Sequence, residues 1–332
     1  MIGMVYNVPV PADHAFAEAS QDIIIQVAAI EKALEQLGYR SVRIPFTRDV
    51  SGFIQQINES RVEIAINLCE SVDDDPRFIA HPAAVLELLG IPFSGSPSAA
   101  LMLTTDKAVT KNLLNANGIK TPHHAIYDGK EEPDPGLLRF PVIFKPIFQD
   151  ASIGIDQESI VKNSRELKEK VKEFFNRFGA LLVEEYIAGR EFNVSIFGYP
   201  SPRALPLAEI DFSSFPHELY PIVSYRAKWD SSSFEYSHAT RGFPRNLPPI
   251  LRQRIAAIAL ECFHLLGLRD YGRVDMRVDV HGQIHVLEVN ANPCLSPDAG
   301  FAAAVGEAGM TYSEMVGALV GFTAQRSKMK EP

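Results

Sequence analysis

The chain has 332 residues, 46% of them hydrophobic, with a formal net charge of −9; this is apolar mass for a real core and more length than one core usually serves, so two or three domains are expected. The negative balance argues against a nucleic-acid partner and says little about small anions, which local cations can bind. No apolar run reaches the roughly 20 residues that span a bilayer, and Met1 to Tyr6 reads as a first strand without a basic leader, so a cytoplasmic protein with no membrane partner is expected.

The first ninety-odd residues alternate. Strand Ile2 to Tyr6, helix Ala17 to Leu37, strand Val42 to Phe46, helix Val50 to Glu59, strand Val62 to Leu68, helix Phe78 to Leu89 and strand Ile91 to Phe93 make a βαβ pattern with a parallel sheet. Loops Asn7 to Phe16 and Cys69 to Arg77 open at the carboxyl edge, where such sheets bind ligands. Asp73-Asp74-Asp75 reads as a solvated cluster.

Thr105 or Asp106 can cap a helix to Ala116, which places Lys107 in its first turn. A cation there opposes the helix dipole, so it is either merely exposed or serves an anion held nearby. Pro141 to Pro146 is a short strand delivering Lys145. Gln149 to Gly154, with Ser152, is a small-residue loop able to approach phosphates through backbone N–H groups, although an ordinary turn looks the same. Strand Leu181 to Ile187 runs into a second strand, Phe192 to Phe197, and gathers Glu184, Glu185 and Glu191 near one connection. From Asp211 to Gly242 the chain is Ser-, Pro- and aromatic-rich without helical period, as expected of a mobile lid or a surface loop, and Lys228 lies inside it. A helix from Leu247 to Leu266 precedes a hairpin; another from Tyr312 to Phe322 closes the fold, and Lys328 to Pro332 is expected to fray. Cys69, Cys262 and Cys294, odd in number and far apart, fit reduced thiols better than disulfides or a zinc site.

The hairpin, Tyr271 to Asn290, has a workable turn at His281-Gly282. A two-residue loop pairs Val280 with Gln283, which sets Asp275 opposite Glu288 and Arg273 opposite Asn290 on one face. Val274, Met276, Val278, Leu287 and Val289 take the other. Two carboxylates across a strand pair repel by about 4 kcal/mol at roughly 4 Å and an effective dielectric near 20, so the pair needs a counter-charge. A divalent cation would supply it, and two carboxylates with an amide favour Mg²⁺ or Mn²⁺ over Zn²⁺. On that argument, losing either carboxylate should leave the metal-free protein no less stable. Spacing alone equally allows Arg273, Asp275, Arg277 and Asp279 to be a solvated edge.

Lys107, Lys145, the Ser152-Ile-Gly154 loop, Glu184-Glu185-Tyr-Ile187, Glu191, Lys228, Gly-Arg273-Val-Asp275 and Glu288-Val-Asn290 stand in an order that resembles the ATP-grasp enzymes, most closely the D-alanine–D-alanine ligases. The resemblance covers nearly the whole chain. It implies an α/β, three-domain ATP-grasp fold, with an N-terminal parallel-sheet domain (1–97), a central subdomain (98–188) and a C-terminal subdomain carrying lid and metal site (189–325), and ATP lying between two antiparallel sheets. It further implies that Lys107 and Lys145 hold the α- and β-phosphates, that Glu184, Glu185 and Ile187 line the adenine pocket, and that Glu191 accepts from the ribose. Asp275, Glu288 and Asn290 would carry two Mg²⁺ ions, Arg273 would stabilise the transferring phosphoryl group, and Lys228 would reach the γ-phosphate as the lid closes.

The departures lie on the substrate side. The ligases' glycine-rich turn with its glutamate is replaced by Asn7 to His14, where only the displaced Glu18 could substitute. Ala151 stands for their serine and Trp229 for their tyrosine, Cys69-Glu70-Ser71 for their His-Gly motif, and Pro297 to Phe301 for their serine-leucine pair. An ATP-dependent carboxylate–amine ligase acting on small amino-acid-like substrates is therefore the leading expectation, with D-alanyl-D-alanine one candidate product. A phosphoryl-transferring kinase and a nucleotide- and metal-binding regulator without turnover are the alternatives, and a homodimer is compatible with all three.

Overall fold

The computed structural model describes residues 1–11, 13–14 and 16–328. It contains three sheets. The first is parallel, in the order Ser41–Phe46, Ile2–Asn7, Ile64–Asn67, Phe93–Ser94, as the alternating pattern requires. Helix Ala17–Gln36 lays Ile23, Val27, Ile30 and Leu34, one apolar stripe, on this sheet. The C-terminal helix Tyr312–Lys328 joins the same core through Met315, Val316, Leu319 and Val320, so the chain's end completes the packing of its beginning.

That helix runs past the expected end at Phe322 and includes Lys328; the rest of the expected tail, 329–332, lies outside the described residues. The reason for the extension is Arg326. Its guanidinium pairs with Asp270, which is 1% exposed, and donates to the Phe93 carbonyl at 2.7 Å. Asp270 also accepts from Gly95 N–H at 2.9 Å. This clamp fixes the residue from which strand Tyr271–Asp279 starts.

The second sheet is antiparallel, ordered His124–Tyr127, Leu181–Glu185, Val142–Pro146, Ile160–Val161. One face is covered by helix Ser164–Phe178, which the sequence reading passes over although Asn163 caps it and Leu167, Val171 and Phe174 fall at helical spacing. Asp106 Oδ1 caps helix Lys107–Ala116, accepting from the Ala108 and Val109 N–H groups at 3.0 Å.

The third sheet runs Thr240–Gly242, Ala208–Asp211, Gly189–Phe197, Tyr271–Asp279, Ile284–Asn290, with Arg203–Ala204 added to the Gly189–Phe197 strand. Gly189, at φ +148°, must be glycine, because a Cβ would lie 2.1 Å from the Val278 carbonyl oxygen. Helix Pro249–Leu265 packs beneath through Ile255, Ala259, Cys262 and Phe263.

The hairpin corrects its expected turn but keeps its expected register. Asp279 Oδ1 accepts from both His281 and Gln283 N–H at 2.9 Å, opening the loop to three residues with Gly282 at φ +75°. Val278 therefore faces Ile284, one step off the two-residue count, until a bulge restores it: Met276 faces Val286, but Asp275 faces Glu288 and Arg273 faces Asn290. Leu287 is the extra residue, and it leaves the apolar face for the cleft.

The stretch from Asp211 to Gly242 is not without helices. Tyr225–Trp229 and Phe234–His238 are each one short turn capped by a serine, Ser224 and Ser233, too brief to show a hydrophobic period.

The clamp on Asp270 gives a stability test. Arg326→Ala should lower the free energy of unfolding by about 3 kcal/mol, since it strips a buried carboxylate of its cation, and adding Asp270→Asn should return part of the loss. A denaturation midpoint unmoved by Arg326→Ala would show that the helix end contributes nothing.

Candidate active site

A cleft of about 480 Å³ lies between the second and third sheets and opens at the carboxyl edge of the first. Lys145, Ser152, Glu184, Glu185, Ile187, Glu191, Lys228, Arg273, Asp275, Glu288 and Asn290 line it, so residues far apart in sequence meet in one cavity. Lys107 and Gly154, singled out with them, are not among the lining residues. Lys107 is 5% exposed and lies behind the lining, while Gly154 is buried against Pro146 and Phe178.

The hairpin supplies one wall. Arg273 grips Asp275 with two bonds, Nε to Oδ1 and Nη2 to Oδ2, both 2.8 Å, and Asn193 Nδ2 adds a third at 2.9 Å. Lys107 Nζ lies 3.7 Å from Glu288 and 3.1 Å from Asp150, and donates to the Gln149 carbonyl at 2.6 Å. Burial works against ionisation of Glu288, yet Lys107, a hydrogen bond from Asp150, Arg273 and Lys228 together hold its pKa below the carboxylate range. Asp150 moves the other way: burial raises its pKa, Lys107 opposes this, and Glu288 adds to the rise.

The counter-charge demanded by the facing carboxylates is thus already present as Arg273 and Lys107. The expectation that removing a carboxylate leaves the metal-free protein no less stable fails for Asp275, because its loss would strand the Arg273 guanidinium. The chemistry of the donors still fits a hard divalent cation. Among the described residues no three His, Cys, Asp or Glu side chains come together to hold a metal, and Asn290, opposite Arg273 on the hairpin, is a further oxygen donor on that face.

The opposite wall is a lysine–carboxylate cluster. Glu184, 1% exposed, is bonded by Lys145 and lies 2.9 Å from Lys111 Nζ. Burial opposes its charge, but the two lysines hold its pKa at about 2. Strand alternation turns Glu185 the other way: its carboxylate accepts from Arg139 N at 2.9 Å and pairs with the Arg139 side chain, leaving the cleft only the rest of the residue. Glu191 Oε2 takes bonds from Arg277 Nε and Nη2 at 3.1 and 2.8 Å, and Arg277 Nη1 donates to the Ile187 carbonyl at 2.7 Å. Arg277 is therefore not part of a solvated edge.

The 211–242 segment rests on the 149–155 loop. Ser152 Oγ donates to the Val223 carbonyl at 2.8 Å, Trp229 Nε1 to the Ala151 carbonyl at 3.1 Å, and Tyr225 N–H to the Ile155 carbonyl at 2.8 Å. Ala151 and Ser152, at φ +55° and +63°, hold left-handed conformations that cost non-glycine residues of order 1–3 kcal/mol each. Lys228, on helix Tyr225–Trp229, is half-buried with Arg273 nearby; burial and then Arg273 lower its pKa.

At the first sheet's edge the cleft is lined by Asp22, Glu70 and Cys294. Asp22 Oδ2 accepts from Cys294 Sγ at 2.9 Å and Ser296 Oγ at 3.2 Å, and Gln26, one turn on, joins Glu70 to the Leu295 N–H. Among the described residues neither carboxylate has an ion pair, unlike those of the two walls. Burial, then Asp22 and Asp150, push the Glu70 pKa up to about 8 against Gln26 and Arg273. Glu18 is exposed and away from the lining, while Asp22, the next turn of the same helix, lines the cleft. Of the acidic triplet, Asp73 pairs with Arg48 and Asp75 with Arg77, as a solvated cluster should, while Asp74 reaches the rim.

Sequence reasoning missed Lys111, Arg277, Asn193 and Asp22. Each had a signal: Lys111 follows Lys107 at i+4 on a helix, and Arg277 follows Arg273 at i+4 on a strand, hence the same face. Asp22 and Asn193 had the same kind of signal, at i+4 from Glu18 on a helix and i+2 from Glu191 on a strand.

Residues 127–321 match the family described as D-ala D-ala ligase C-terminus. The chain is 33% identical over 269 residues to the uncharacterized protein y4sG of Sinorhizobium fredii, covering 79% of this chain and 75% of that one. It is 30% identical over 305 residues to the D-alanine–D-alanine ligase of Desulforudis audaxviator, covering 90% and 92%, and 29% identical over 297 residues to that of Carboxydothermus hydrogenoformans, covering 87% and 89%. The D-alanine–D-alanine ligase of Bacillus anthracis, solved in complex with ATP, shares the fold at a TM-score of 0.76 over 100% of this chain and 99% of that one, with 23% identity. With more than half of its length matched to the family and its three sheets laid out as in that ligase, the chain belongs to the D-alanine–D-alanine ligase family and is an ATP-dependent ligase forming carbon–nitrogen bonds.

Proposed function

We propose that the protein uses ATP to activate the carboxylate of one amino-acid-like substrate as an acyl phosphate and joins it to the amine of a second. A carboxylate oxygen attacks the γ-phosphorus and the bond to ADP breaks; the amine then attacks the acyl carbon, phosphate leaves, and the nitrogen gives up a proton. The observation that carries this reading is the placement of Arg273, Asp275, Glu288 and Asn290 on one hairpin face lining a cleft with Lys145 and Lys228.

ATP and a divalent metal are what this family generally uses. Asp275, Glu288 and Asn290 would hold two Mg²⁺ or Mn²⁺ ions, and Arg273, which now grips both Asp275 oxygens, would stabilise charge on the transferring phosphoryl group. The metal supplies charge neutralisation of the phosphates. Lys145 meets a phosphate, while Lys107 acts from behind by keeping Asp150 and Glu288 in place. Glu184 and the Ile187 backbone line the base pocket, Glu191 offers its Oε1 to the ribose, and Ser152 and Lys228 close over the phosphates.

The substrate proposed is not D-alanine. Trp229 and Ala151 meet through an indole N–H and a backbone carbonyl, so no serine–tyrosine pair orders a small zwitterion there. Asp22 and Glu70, lacking cations of their own, instead suit a substrate that brings an ammonium or a cationic side chain.

Phosphate release measured against a matrix of D- and L-amino acids and short peptides, with products identified by mass, tests the reaction. The preferred pair should exceed D-alanine by at least about tenfold in kcat/KM. Efficient D-alanyl-D-alanine synthesis unmatched by other pairs would restore the relatives' named activity to this chain, phosphate transfer without an amine would favour a kinase, and no turnover would favour a regulator.

Lys228→Ala should lower kcat by about two orders of magnitude with little change in nucleotide affinity, the scale of losing one transition-state donor. Lost affinity with kcat intact would move the lysine to ground-state binding.

Glu70 gives a pH test. Asp22 on helix Ala17–Gln36, Asp150 on the phosphate loop, Arg273 on the hairpin, Gln26 and Cys294 surround it. With its pKa near 8 the empty site holds a neutral acid at pH 7, and binding a cation requires the carboxylate. Hence kcat/KM for the preferred substrate should rise between about pH 6.5 and 8.5, and Glu70→Gln should flatten the rise. A profile identical in wild type and Glu70→Gln would remove Glu70 from substrate binding.

A further inference from the structure

Lys111 is the most deeply buried cation of the cluster and has no part in the reaction as proposed. It is 2% exposed, lies on helix Lys107–Ala116 one turn beyond Lys107, and is not among the residues lining the cleft. Its Nζ lies 2.9 Å from Glu184 Oε2, while Lys145 takes Oε1 of the same carboxylate. The contact is an ion pair without a well-directed hydrogen bond; burial lowers the Lys111 pKa, and Glu184 opposes this.

We infer that Lys111 is a positioning residue that frees Lys145 for an anionic ligand by remaining as the counter-ion of Glu184. Two ammoniums on one carboxylate leave the cluster with one positive charge in excess. If Lys145 alone paired with Glu184, drawing it toward a phosphate would leave a carboxylate buried without a partner, a change that typically costs several kcal/mol. With Lys111 in place Glu184 stays paired when Lys145 turns into the cleft. The side-chain exposures agree with this division: 13% for Lys145, which reaches the cleft, and 2% for Lys111, which does not.

The inference rests on the proposed role of Lys145, and the variants separate the two. Affinity for a non-hydrolysable ATP analogue with Mg²⁺ is measured by calorimetry on the full chain. Lys145→Ala should weaken binding; if it does not, the phosphate role of Lys145 fails whatever Lys111 does. Lys111→Met should weaken binding by about tenfold or more although Lys111 does not line the cleft, and Lys111→Arg should stay near wild type. In the Glu184→Gln background no carboxylate remains to be neutralised, so adding Lys111→Met should cost nothing further. Wild-type affinity in Lys111→Met, or an equal loss from Lys111→Met with and without Glu184→Gln, would overturn the inference. Should Lys111→Met alone not fold, the comparison of Glu184→Gln with the double variant decides it: equal affinity supports the role and a further loss refutes it.

Discussion

The pairing of Arg273–Asp275 with Glu288–Asn290 across one hairpin is the constraint on which the rest of the site depends. Four polar side chains share one face of an antiparallel pair whose other face is buried, so none of them can escape by rotation of the strands. Slipping Ile284–Asn290 by one residue would turn Glu288 and Asn290 into the core. The bulge at Leu287 shows how tightly the arrangement is specified. A loop opened by the Asp279 carboxylate displaces the pairing, and the extra residue restores it before the charged positions are reached.

Around that hairpin the charges are neutralised in pairs. Asp275 has Arg273, Glu288 has Lys107, Glu191 has Arg277 and Glu184 has two lysines. Such pairs seldom stabilise a fold relative to apolar packing, because desolvation consumes much of the attraction. Their effect here is to hold Lys145 and Arg273 at the cleft wall, while Lys107 and Lys111 stay behind it on the carboxylates. The cleft's end at the first sheet is built differently. Among the described residues Asp22 and Glu70 have no ion pair, and burial with the nearby carboxylates pushes Glu70 toward its neutral form.

The first sheet and the chain's end serve this site from a distance. Arg326 on the last helix fixes Asp270, from which the central strand begins, and Tyr271 OH donates to Asn292 Oδ1 at 2.7 Å while Asn292 Nδ2 reaches the Cys69 carbonyl at 3.1 Å. The strand that carries Arg273 and Asp275 is thus tied at its origin to the sheet that carries Glu70. Helix Tyr312–Lys328 accordingly belongs to the core of the first sheet, while Phe301 packs against Phe197 and Tyr271 of the third.

What the sequence by itself determined was whatever depends on local period and pairing. The βαβ alternation, the Asp106 cap and the strands carrying Lys145 and Glu184 follow from side-chain spacing of 2 or 3.6 residues and from proline and glycine punctuation. Asp275, by contrast, faces Glu288 as counted only because the bulge at Leu287 offsets a loop one residue longer than the count. The order of the motifs carried the family. Tertiary structure decided which partner each charge took: Lys107 turned from solvent to Glu288, Arg277 from an edge to Glu191, Glu185 away toward Arg139, and Asp22, rather than Glu18, to the cleft. The physical reason is that a charge's partner is set by distance in space and by the loss of water around it. Neither is encoded in the spacing along one strand or helix, and both appear only when the sheets close on a common cleft.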